Sequence, residues 1–266
     1  MNGFFNGFQR LYNLVLYHRS IFFRKIRPYP PLGFWFVYLG VAYQQVPLCI
    51  VQNYLASAMI SFYIMVWFGY LFLSDFDEVM EHLLLLQINS RFLYVASKIV
   101  FLVAMSALVG VIGSVFPIII KPISLLAGYA WPVEVGAVNF IGGLLLHFVI
   151  GCLGVSVAFL FQPNPEKRNN SSIATLALML FALLAVVKHQ VFNIDGLGRH
   201  ILLVFTPLVE ILQLFSEREV FTASDMLLAV IGGSVYFIVA VAFGHWFYNK
   251  RVYGPSIAKQ KNNGEV

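Results

Sequence analysis

Long apolar blocks separated by short polar ones run the length of the chain. Six of them reach the roughly 20 residues that a helix needs to cross hydrocarbon: 33–51, 54–73, 92–117, 137–161, 172–192 and 227–248. The pattern predicts an all-α, polytopic membrane fold with six transmembrane helices in a domain over 32–250, ahead of a tail at 251–266. Only Gln52 and Asn53 separate the first two blocks, which predicts a tight hairpin there. Ahead of the spans, in 1–31, Phe4, Phe8, Leu11 and Val15 recur on one helical face, opposite Asn6, Gln9, Arg10 and Asn13. That is the pattern of a helix lying in the membrane interface. The run Pro28-Tyr29-Pro30-Pro31 then breaks the helix and re-aims the chain.

Composition agrees with the blocks. Of 266 residues, 60% are hydrophobic and only 11% charged, against about 25% in soluble domains. So few charges could not cover a water-facing surface. Their placement fixes an orientation: thirteen Lys and Arg flank one side of the predicted spans and four the other. By the positive-inside rule both termini are expected in the cytoplasm. The net charge of +5 is better matched to lipid headgroups than to nucleic acid, because the basic residues border apolar spans. Arg19, Arg24, Lys25 and Arg27 follow the first apolar stretch with no small-residue cleavage site, unlike a secretory signal. Cys49 and Cys152 lie inside apolar runs and read as small buried hydrophobes.

The segment after the second span is the most informative. In Ser74-Asp75-Phe76-Asp77-Glu78-Val79-Met80-Glu81-His82-Leu83-Leu84-Leu85-Leu86-Gln87, Ser74 and Asp77 have N-terminal capping spacing. Asp75, Asp77 and Glu78 fill the first turn, where the helix dipole favours carboxylates. Phe76, Val79, Met80 and Leu83 recur at helical spacing. This predicts a short cytoplasmic amphipathic helix at about 75–88, ending near Arg91. An acidic helix gains nothing from an anionic leaflet, which points to a protein partner; the alternative is a plain interfacial linker.

An acidic cytoplasmic helix followed by Leu83–Leu86 and by Ser90-Arg91-Phe92-Leu93-Tyr94-Val95-Ala96-Ser97-Lys98 resembles the permeases of type-2 ABC exporters. The six spans, the amphipathic N-terminal helix and the basic loop Pro163–Asn170 are similar to that family. So are Thr206-Pro207-Leu208 and the end of the last span, His245-Trp246-Phe247-Tyr248-Asn249-Lys250-Arg251. The resemblance implies that the 75–88 helix is a coupling helix docking into a separate ATPase subunit. Phe76, Glu78, Glu81 and Arg91 are then the expected contacts. It implies a working unit of two permease subunits and two ATPase subunits. It also implies re-entrant helices before the last span, within the predicted external loop 193–226. There Ile201–Phe205 and Leu208–Phe215 are apolar but too short to cross. Arg199 and Glu210 either line an external exit or face water.

Chemistry of the chain's own is not evident. It has no phosphate-binding Gly-x-x-x-x-Gly-Lys-[Ser/Thr], no His-Glu-x-x-His and no Gly-x-Ser-x-Gly. No cofactor is expected in this chain; ATP and magnesium would belong to the partner. Polar residues within the spans are few: Tyr43, Gln44 and Gln45, then His147, with Lys188 and His189 near an end. Gln44, Gln45 and His147 are candidates for a substrate path, because burying such groups is costly; the Gln pair could instead pack against another helix, and a hydrogen bond to a neighbouring helix is the plainer role for His147. An ion-coupled transporter would want acids in mid-span, and none of the twelve lies there. A non-transporting assembly subunit is the remaining alternative.

Overall fold

The computed structural model describes residues 2–43, 50–74, 78–88, 90–126, 136–162 and 206–262. Within them the chain forms eight helices and no strand. These are α1 (Asn2–Arg24), α2 (Tyr29–Ala42), α3 (Ile50–Ser74), α4 (Glu78–Ile88), α5 (Arg91–Leu126), α6 (Ala137–Leu160), α7 (Thr206–Ser216) and α8 (Ala223–Asn262). Four are long and apolar enough to cross a membrane: α3, α5 over Arg91–Lys121, α6, and α8 over Ala223–Tyr248. The chain is a multi-pass membrane protein. Helix starts follow local chemistry. Ser90 Oγ accepts from the Leu93 amide ahead of α5, and Thr222 Oγ1 accepts from the Asp225 amide ahead of α8; both satisfy amides that a first turn leaves open.

The first expected span is divided. α2 stops at Ala42 after 14 residues, residues 44–49 lie outside the described residues, and α3 already begins at Ile50. Gln52 and Asn53, expected to make a hairpin, instead sit in the first turn of α3, with Asn53 buried. Pro47 stands three residues before α3. The fifth expected span, 172–192, and the loop 163–170 lie outside the described residues. At the end of the chain, α8 continues as helix into the expected tail, to Asn262.

Helix α6 is the centre of the bundle. It packs on α3, α5 and α8, and at the closest points one of the two facing residues is glycine. A Cβ at Gly154 would lie 2.5 Å from the Phe62 carbonyl oxygen of α3. A Cβ at Gly244 of α8 would lie 2.6 Å from the Phe159 carbonyl oxygen of α6. Gly69 faces the Ala158 side chain, and Gly151 the Ser106 side chain. Such approach of backbones is how apolar helices gain contact where lipid removes the hydrophobic incentive. α8 presents a stripe of small buried residues, Ala229, Gly233, Ala240 and Gly244, and turns Leu227, Leu228, Ile231, Val235 and Ile238 outward.

The two ends of the bundle differ. At one end Phe221 covers Gly142 and Tyr54, and the α7 residues Leu208 and Phe215 join the cluster with Ile50 and Val51. At the other end lie α4, the start of α5, Gln162 and the His245–Tyr248 stretch of α8. Gln162 and Leu208 therefore stand at opposite ends of the bundle. α5 runs as helix through Pro117, whose missing N–H leaves the Gly113 carbonyl without its usual donor. One residue on, the Ser114 carbonyl accepts from the Tyr54 hydroxyl at 3.1 Å.

The glycine contacts are testable by size alone. Leu in place of Gly154 or Gly244 should cost ~1–3 kcal/mol or more by overpacking, seen as a lower melting temperature in detergent. Gly232→Leu, where a Cβ meets nothing within 4 Å, should leave the melting temperature unchanged.

Candidate functional site

The most developed polar site lies under α4. Its sequence face through Leu83 was expected to dock, but the docked face is Glu81, Leu84, Leu85 and Ile88, while Leu83 and Leu86 are 51% and 78% exposed. A charge pair explains the rotation. Lys98 Nζ of α5 donates to Glu81 Oε1 at 3.1 Å, with the two side chains only 5% and 13% exposed. The ammonium also sits 4.2 Å from the centre of the Tyr94 ring. An apolar span cannot bury a lysine unpaired, so Glu81 turns inward and carries α4 onto α5. Glu81 is thus engaged within the chain rather than free on an outer surface. Lys98, which counted toward a cytoplasmic basic flank, is buried inside α5. Ser74, expected to cap the acidic helix, closes α3 and donates to the Leu71 carbonyl.

Helix α1 is fastened to the same turn of α5. Its buried positions are Leu14, His18 and Phe22, whereas Phe8, expected on the apolar side, is 65% exposed. His18 Nε2 lies 2.9 Å from Ser97 Oγ, and Ser97 Oγ donates to the Tyr94 carbonyl at 2.7 Å. Ser97 has a single proton, already given to the carbonyl, so His18 Nε2–H is the donor. Phe72, Tyr94 and Phe101 surround the imidazole. Burial first, and the Lys98 ammonium second, push the His18 pKa down to about 3. The folded protein therefore holds it neutral.

A cavity of about 610 Å³ opens beside this site, between the α4–α5 corner and α8. Glu81, Arg91, Lys98 and His245 line it together with apolar residues such as Phe92, Ile238 and Val241.

A second polar group is sealed in the bundle. His147 of α6 is fully buried. Its Nδ1 lies 2.7 Å from the Gly143 carbonyl, which can only accept, so that nitrogen carries the proton. In neutral His147, Nε2 accepts from Ser57 Oγ at 2.9 Å, and the Tyr43 hydroxyl donates to Ser57 Oγ at 3.1 Å. The histidine joins α6 to α3 by a hydrogen bond, rather than lining an open path among the described residues. Gln44, Gln45, Phe76 and Arg199 lie outside the described residues. Glu78 opens α4, Arg91 opens α5 at an exposed position, and Glu210 is exposed on α7. The site therefore unites Glu81 and Arg91 of the expected contacts. It adds Lys98, Tyr94, His18 and His245, which sequence reasoning passed over. Lys98, set between Val95-Ala96 and Ile99-Val100, was the available signal.

The sequence matches no family model and no characterised protein. The arrangement under α4 is one of attachment.

Two measurements follow from it. Lys98→Met alone leaves a buried carboxylate and should cost about 3–5 kcal/mol; adding Glu81→Leu should restore most of the melting temperature, the signature of a double-mutant cycle. For His18, the unfolded chain binds a proton below pH about 6.5 while the folded chain refuses it down to about 3. Its contribution to stability is thus complete above pH 6.5 and is lost as pH falls through that window, by up to about 1.4 kcal/mol per unit. Melting temperatures across this range should fall more steeply for the native chain than for His18→Asn.

Proposed function

We propose that the chain is the transmembrane permease subunit of a type-2 ABC exporter, working as a pair of copies with two separate ATPase subunits. The observation that carries this reading is α4: a short helix at the bundle end, tied by the Glu81–Lys98 pair to a membrane-crossing helix. Its outer side offers Leu83 and Leu86. A partner pushing on that outer side would act on α5 directly, because the charge pair resists separation. Phe76, Glu78 and Arg91 are the further contacts in this reading. ATP and magnesium would bind the partner, whose closure would tilt the spans as rigid bodies.

The reading takes 172–192 as a crossing, since Gln162 and Leu208 stand at opposite ends of the bundle, and the first apolar block, from α2 up to the start of α3, as another, which makes six. The α4 end then faces the cytoplasm, as the excess of lysine and arginine requires, with the chain in the cytoplasmic membrane and both termini inside. α7 would lie at the outer face as a short interfacial or re-entrant helix, and Glu210 with Arg199 near the exit. The cargo would be an apolar or amphipathic molecule, given how few charges the bundle holds.

Purification from native membranes should bring down an ATPase subunit that lacks spans of its own. Glu78→Lys and Leu86→Glu should each weaken that association while leaving the melting temperature of the chain unchanged. Repeated purification without any nucleotide-binding subunit would overturn the proposal.

A further inference from the structure

The cavity beside α4 is graded from one end to the other. Gln162 follows the end of α6, Arg91 opens α5 and Tyr248 closes the membrane-crossing part of α8. These polar residues therefore share the level at which the helices leave the membrane. One to three turns further in, the wall is apolar, with Val95 and Ile99 of α5 and Phe237 and Val241 of α8. Lys98 also lies inward, but its ammonium reaches Glu81 of α4 over the Tyr94 ring, one turn nearer the start of α5. Phe237 and Tyr248, the first and last α8 residues in the wall, stand about 16 Å apart at 1.5 Å per residue. That is close to half the roughly 30 Å hydrocarbon thickness, the reach of one leaflet. One side of the cavity is open: Ile238, 65% exposed, and Ala242, also exposed, belong both to its wall and to the outward face of α8.

We infer that this cavity binds one uncharged, hydroxylated amphiphile with a single hydrocarbon chain, drawn sideways from the leaflet. Its head lies between Glu81 and Gln162, and its chain runs along α5 and α8. Volume sets the size and charge sets the class. The cavity's 610 Å³ falls within the roughly 300–1,000 Å³ of small-molecule sites, which share its apolar wall with a few polar groups. Among the described residues, the ionisable groups in the wall are already engaged. Lys98 holds Glu81, and Arg91 and His245 have partners of their own. An ionised head would have to draw Lys98 or Glu81 from the other, leaving a charge buried and unmatched. A hydroxyl makes no such demand. A carboxylate has about four acceptor sites, so Glu81 can take an O–H while it keeps the ammonium, and the Gln162 amide both donates and accepts. A groove of about 540 Å³ at the opposite end of the bundle supplies a contrast. Among the described residues, Thr222 is its one polar side chain, so it lacks the means to orient a head group. The inference needs only that the chain spans a membrane, and does not depend on an ATPase partner.

The full-length chain in nanodiscs of phosphatidylcholine, labelled with monooleoylglycerol that carries a photoactivatable diazirine in its chain, tests this. Cross-links should be saturable and should map to residues 92–99 and 237–242. Unlabelled monooleoylglycerol should displace the label. Oleyl sulfate and oleyltrimethylammonium, both permanently charged, should need about tenfold more, the factor set by one hydrogen bond to a charged group. Ala242→Trp, at an exposed position, fills the open side and should abolish the saturable labelling at an unchanged melting temperature. Gln162→Ala tests the head group separately and should weaken displacement by monooleoylglycerol about threefold, while Arg91→Gln should leave it unchanged. Equal or better displacement by either charged amphiphile would overturn the inference. So would labelling that does not saturate, or saturable labelling that survives Ala242→Trp.

Discussion

Close backbone approach along α6 is the constraint on which the bundle rests. Lipid tails are as apolar as leucine, so helices within them gain little by hiding apolar side chains from their surroundings. What remains is contact, and contact is greatest where side chains are smallest. Gly154 lets α6 settle onto the Phe62 carbonyl of α3, and Gly244 lets α8 settle onto Phe159 of α6. The two contacts lie near one another along α6, so three helices are drawn together over a short stretch. Larger residues, among them Phe62, Phe68 and Phe159, then fill the space to either side.

Polar groups in this setting either find a partner or are drawn toward an edge. Both outcomes occur. His147 and Ser57 are satisfied inside, through a directed run of hydrogen bonds that ends on the Gly143 carbonyl. Lys98 is satisfied at the edge, by importing Glu81 from a helix that would otherwise have no reason to lie there. The first arrangement holds two crossing helices together. The second fixes a peripheral helix in place, and with it the choice of which α4 residues remain outside.

The apolar blocks made the all-helical, multi-pass fold legible, and α3, α5 and α6 lie close to where those blocks place them. Block patterns report the mean polarity of a window, so they were blind to interruptions made by single residues. The block 33–51 reads as continuous although α2 ends inside it at Ala42, and Gln52–Asn53 looks like a turn although α3 has already begun. Orientation of the small helices was harder still. The periodicity of α4 put Leu83 inward, and that of α1 put Phe8 inward, because a moment counts hydrophobicity and not specific pairs. Glu81 with Lys98, and His18 with Ser97, decide the rotation instead. Packing at α6 leaves no Gly-x-x-x-Gly pattern in its sequence because the small residues alternate in kind, as in Ser106, Gly110 and Ser114, or Gly154 and Ala158.

One turn of α5, from Tyr94 to Lys98, receives both peripheral helices: α1 through His18 on Ser97, and α4 through Glu81 on Lys98. His245 of α8 lines the same cavity as that pair. The turn therefore acts as a common axle. α1 and α4 are thus anchored on one turn, and a rotation of α5 about its axis would swing them together. A force on either peripheral helix arrives at the other without crossing the glycine-packed centre.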